Sequence, residues 1–148
     1  MSRGLRQLLL WGFGLLRWLI WVGALGFLLL EARELTAQRQ LTQITVFAVL
    51  FLVASFQLST ARFLVTGPDA GEAPTVLQSA LAMFAASLFS VLDGALDQIF
   101  VLLPAGAAGS AAPLLHLLNW AVNLVCMVLA LASIELFLAT LRRLIARF

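Results

Sequence analysis

The stretch "TVLQSALAMFAASLFSVLDGALDQIFVLL", Thr75 to Leu103, is about 29 residues long and carries only two charges, Asp93 and Asp97. An α-helix rises 1.5 Å per residue, so about 20 apolar residues cross a hydrocarbon core of roughly 30 Å. The apolar residues are continuous and do not alternate, which favours a helix over a strand of a membrane barrel. A membrane-crossing helix that carries two acids is the reading on which the rest depends.

Three similar runs accompany it, at about residues 8–30, 41–64 and 114–140. Of the 148 residues, 63% are hydrophobic and 11% charged, and the mean hydropathy is +1.06. A soluble domain of this size could not bury so much apolar surface. The expected fold is therefore all-α: a polytopic membrane protein whose four transmembrane helices form two antiparallel hairpins, with residues 1–148 as a single domain. Arg3 and Arg6 precede the first run as in a signal peptide. That run is about twice as long as a signal's apolar region and has no clear cleavage site before Glu31, so it is read as the first span.

The connections differ in character. "EARELTAQRQ", Glu31 to Gln40, has helix-forming composition and could extend the first helix. "TGPDAGEAP", Thr66 to Pro74, is the strongest break, because Gly67-Pro68 and Pro74 resist continued helix. "PAGAAGSAAP", Pro104 to Pro113, is small and uncharged and reads as a flexible outer loop. All nine basic residues are arginine. With both termini on one side, that side holds Arg3, Arg6, Arg62, Arg142, Arg143 and Arg147, against Arg33 and Arg39 on the other. An excess of arginine marks the cytoplasmic face, so both termini are expected there, in a plasma (inner) membrane. The partners expected are the lipid bilayer and either further copies of the chain or other membrane subunits; no basic domain suits nucleic acid.

Polar interruptions of the spans are the candidate site. Ionisable groups at membrane depth cost a few kcal/mol each and usually face protein or water. Counted from the middle of each span, Asp93 lies roughly 4 to 5 Å and Asp97 roughly 10 Å toward the outside. Asn123 and Asn119 of the fourth span come out at about 6 and 12 Å on the same side. Spacings of i, i+4 for Asp93/Asp97 and i, i+3, i+7 for His116/Asn119/Asn123 put each set on one helix face. A polar cleft between the third and fourth helices follows, with these five residues as proton- or ion-binding groups. Toward the inner side lie Arg17, Gln57 and Glu135; Arg17 and Glu135 set the local charge, and Arg17 could pair with Glu135 or reach Asp93. Gly14, Trp21 and Ala24 share the face of Arg17, which suggests close helix packing there. Trp11 and Trp120 suit the headgroup level, whereas Trp18 and Trp21 lie deeper and read as packing bulk or as contacts for a pigment or quinone.

Three acids and one arginine lie within the spans, so two carboxylates lack a fixed cation. They call for a proton, a cation or another subunit. Alternatively the third crossing ends near Leu96, Gly94 helps a bend, and Asp97 reaches the headgroups. Other chemistry fits poorly. One histidine cannot supply the two axial ligands usual for a membrane haem, and with a single Cys126 it builds no zinc site, although Asp97, His116 and Asn119 could form a weak cation site. No nucleophile has an assembled base, and "DGALD" lacks the further acids of a magnesium-binding transferase. The chain is therefore expected not to be an enzyme, and no cofactor or resident metal is assigned. Two functions remain: a small oligomeric ion- or proton-conducting protein using its intramembrane carboxylates, or an accessory or assembly subunit of a larger membrane complex.

Overall fold

The computed structural model describes residues 3–31, 39–102 and 105–147. The described residues form four helices, α1 (Arg3–Glu31), α2 (Arg39–Val65), α3 (Ala73–Leu102) and α4 (Ala105–Arg147), and one 3-10 turn at Ala70–Glu72. No strand occurs among them. Three segments are long and apolar enough to cross a membrane: Thr45–Val65, Ala70–Ile99 and Ala112–Arg147.

Burial is inverted relative to a water-soluble protein. Leu52, Phe63, Leu81 and Leu114 are exposed on the outer faces, while Gln57, Ser79, Ser87 and Ser133 are completely buried. Apolar outside and small or polar inside is the arrangement expected of helices packed in lipid, where helix association relies on close packing and hydrogen bonds. The protein is membrane-embedded. Hydroxyls that cannot reach another helix bond their own backbone: Ser55, Ser59 and Thr60 each donate to the carbonyl four residues earlier. This removes the cost of an unpaired donor in hydrocarbon.

Helix α3 is central, packed along its length against both α2 and α4. Its inner stripe runs through Ala73, Val76, Ser79, Ala80, Met83, Ala86, Ser87, Ser90 and Asp93, a single helix face. Mostly small side chains let two neighbours approach on adjacent sides. Ala54, Gln57, Ala61 and Leu64 answer from α2, and Val122, Cys126, Ser133 and Thr140 from α4. One polar node joins all three helices. Ser133 Oγ donates to the Ser79 carbonyl at 2.6 Å and accepts from Gln57 Nε2 at 3.1 Å. Gln57, an interruption of the second span, is thus a packing residue.

The break before α3 forms as the sequence suggests. The Gly67 N–H bonds to the Leu64 carbonyl and the Glu72 N–H to the Asp69 carbonyl. Pro74 sits in the first turn of α3, where its missing N–H leaves no helical bond unmade. Below this turn Ala61, Leu64, Ala73 and Val76 form an apolar cluster covered by Phe137 and Leu144.

Three expectations change. The flexible outer loop over 104–113 is replaced by helix from Ala105, with Pro113 inside α4. Alanine is the best helix former, and a proline forfeits one backbone bond while the rest of the segment keeps its own. Second, α3 remains α-helical through Gly94 to Leu102, so no helix break turns its end aside. Third, α1 rests on α4 over a short length instead of packing closely with α2 among the described residues. A Cβ added at Gly14 would meet nothing within 4 Å, so this glycine mediates no close approach. Trp18 is 70% exposed and Trp21 about half, so neither is packed in the protein interior. Residues 32–38, where the first helix could have continued, lie outside the described residues.

Candidate functional site

Asp93 and Asp97 project from one face of α3 toward α4, and the antiparallel register fixes what they meet. Asn123 Nδ2 donates to Asp93 Oδ1 at 2.8 Å, and Asn119 Nδ2 donates to Asp97 Oδ1 at 3.1 Å. The same register continues down the helix pair, with the Cys126 thiol on the Ala86 carbonyl and Ser133 on the Ser79 carbonyl. Depth matching from sequence thus finds both rungs of the ladder. His116, one turn before Asn119, is exposed.

Each rung has one buried and one half-buried member: Asp93 is 3% exposed against a half-buried Asn123, and Asn119 is 8% exposed against a half-buried Asp97. One atom stands out. Asn119 Oδ1 is buried and has no hydrogen-bond partner, alone in this respect among the buried side-chain nitrogen and oxygen atoms of the described residues. A buried acceptor without a donor costs about 1–3 kcal/mol. Carboxylate and carboxamide oxygens are hard ligands suited to protons and small cations. Among the described residues no three acidic, histidine or cysteine side chains converge on a metal-sized space.

The second polar group joins α1 to α4. Glu135 Oε1 accepts from Arg17 Nε at 2.6 Å and from Trp21 Nε1 at 2.8 Å. Of the two partners left open by the sequence, Arg17 therefore takes Glu135, and Trp21 acts as a donor as well as apolar bulk. Counting residues from each span's middle sets Arg17 near the centre and Glu135 roughly 12 Å toward the inner side. The discrepancy is absorbed by the length of the arginine side chain and by helices that do not share one mid-plane. Arg17 is 58% exposed, at the edge of the bundle. An open groove of about 870 Å³ runs beside this pair between α1 and α4, bounded by Phe13, Trp18, Trp21, Leu138 and Arg142.

The third group was not anticipated. Arg147 bonds Asp69 at 2.8 Å and Glu72 at 2.9 Å, and Arg143 lies 3.4 Å from the other Glu72 oxygen. Arg143 also donates to Thr140. In the sequence these arginines count only toward the cytoplasmic excess of charge; the structure makes two of them a clamp holding the α2–α3 turn to the end of α4. The available signal was the pair of acids in a short turn on the same side as the arginines. Compared with known protein families, characterised proteins and solved structures, the chain gives no match.

Proposed function

We propose that this chain is a four-span membrane protein with both termini cytoplasmic, and that its α3–α4 ladder takes up and releases a proton, or a small cation, within a homo-oligomeric conducting or proton-linked assembly. The observation that carries this reading is the buried, unpartnered Oδ1 of Asn119 beside the Asp97 carboxylate. A carboxamide facing an acid suits both protonation states. Its N–H donates to an ionised carboxylate, and after rotation about the terminal bond its oxygen accepts from a protonated one. Asn119 and Asn123 can each serve Asp97 and Asp93 in this way, so a proton can be held at either rung without leaving the acid unsolvated.

The fourth span in this reading is α1. The middle of α1, Phe13 to Trp21, lines the same groove as Arg142, Arg143 and Ala146 at the end of α4, and the α2–α3 turn is clamped at that end too. This agrees with the arginine distribution along the chain. Purified protein in liposomes should show acid-driven or cation flux that falls at least tenfold in an Asp93→Asn/Asp97→Asn double variant, with helicity retained by circular dichroism. Unchanged flux removes the proposal.

A second reading, as an accessory subunit, draws on a different observation. Among the described residues helix α1 packs mainly on α4 and carries exposed Trp11 and Trp18, a large apolar face for another protein's span. Purification in a mild detergent separates the two: a single-species oligomer supports the first, and stable co-purification of other membrane chains supports the second.

A further inference from the structure

The arginines at the end of α4 are unequally satisfied. Arg143 and Arg147 are answered by Glu72 and Asp69, and Arg17 is answered by Glu135. Arg142 makes no hydrogen bond or ion pair among the described residues and is exposed. It therefore carries a positive charge at the α1–α4 seam that no described residue compensates. It stands beside Arg143, at the level of the clamped turn that joins two membrane helices, two helical turns beyond Glu135. About seven residues of helix separate it from Glu135, or roughly 10 Å along the axis. In the four-span reading proposed above, this end of α4 lies at the inner headgroups.

Two depressions meet at this arginine. One is the groove of about 870 Å³ that descends past Phe13, Trp21 and Leu138 to the Arg17–Glu135 pair. The other, of about 640 Å³, descends on the opposite flank of α1 past Trp11, Leu15 and Leu19. Gly14, Trp18 and Arg142 line both. The absent side chain at Gly14 leaves the wall between them low, with nothing within 4 Å of where its Cβ would stand. An unanswered cation at the top, with two largely apolar channels parting around one indole and one of them ending at the Arg17–Glu135 pair, has the shape and charge of a two-chained lipid turned inside out.

We infer that the α1–α4 seam binds one anionic phospholipid of the inner leaflet, with its phosphate at Arg142 and its two acyl chains on either side of Trp18. A zwitterionic lipid would fill the channels but leave its own cation near Arg142, and a free anion would meet the arginine without using the channels. An arginine at a membrane surface favours an anionic lipid by about fivefold. The site would tie α1 to the bundle through lipid, which fits a helix whose direct protein contacts are few.

Native mass spectrometry on delipidated protein tests this, with phosphatidylglycerol and phosphatidylcholine of identical chains offered in equal amounts. The expected result is one retained phosphatidylglycerol per chain, preferred about fivefold. Arg142→Gln should bring the preference to parity, Arg142→Lys should keep it, and Arg62→Gln, outside the groove, should leave it unchanged. Trp18→Ala should lower retention of both lipids. No preference in the wild type, a preference that survives Arg142→Gln, or retention indifferent to Trp18→Ala would overturn the assignment. So would displacement of the lipid by millimolar inorganic phosphate, which would make this a site for the free anion.

Discussion

Replacing Ser133 by alanine tests how the three central helices are held. Ser133 and Gln57 are both 0% exposed, and the hydroxyl is the acceptor for Gln57 Nε2 at 3.1 Å and the donor to the Ser79 carbonyl at 2.6 Å. That carbonyl lies within α3 and keeps its own helical bond, so losing the hydroxyl there matters little. The Gln57 amide is different, because nothing replaces its partner. A buried donor left unmade costs about 1–3 kcal/mol, while measured side-chain hydrogen bonds in a membrane protein average about 0.6 and reach about 1.7 kcal/mol. Taking the upper part of the membrane range for a completely buried amide, Ser133→Ala should destabilise by about 1.5 kcal/mol, or roughly tenfold in the unfolding equilibrium.

The partner substitution sharpens the test. Gln57→Leu removes the amide at similar volume and leaves Ser133 still bonded to Ser79, so it should cost only about 0.5 kcal/mol. The double variant has no stranded amide and should resemble Gln57→Leu, giving a coupling of about 1 kcal/mol or more. Reversible unfolding in mixed micelles, titrated with a denaturing detergent, measures all three. Singles that simply add, or a Ser133→Ala protein as stable as the wild type, would refute the reasoning.

Two other outcomes follow from groups elsewhere in the bundle. Glu72→Gln should loosen the α2–α3 turn by about 1–2 kcal/mol, below the 3–5 kcal/mol of a fully buried pair because Arg143 and Arg147 are each more than half exposed; the same micelle titration should show Arg147→Gln adding little further in the double variant. Cys126 is buried with its thiol on the Ala86 carbonyl, so maleimide should label it slowly in the native protein and completely after unfolding; rapid native labelling would place the α3–α4 interface elsewhere.

The two rungs of the ladder were legible because they depend on few variables. Asp93/Asp97 and Asn119/Asn123 each share a helix face by spacing, and a short connection makes α3 and α4 antiparallel neighbours with depths fixed by counting residues. Glu135 as the partner of Arg17 was only one of two choices, because α1 is separated from α4 by most of the chain and nothing local sets how far the two slide. The clamp of Asp69 and Glu72 on Arg143 and Arg147 was missed for a similar reason: charged residues next to a span suit water equally well, and only the approach of the turn to the end of α4 pairs them.

That the chain enters a membrane as helices is written in continuous apolar runs, a local property that needs no partner: 1.5 Å per residue and the cost of unpaired backbone in lipid suffice. The polar pattern even places α3 against α4. Which side chains close each gap depends on rotation, slide and tilt between helices, quantities that arise only when all of them pack together. So Gln57 becomes a node with Ser133, Trp18 faces outward, residues 105–113 join α4, and Arg142 alone among the terminal arginines of α4 is left without a partner among the described residues.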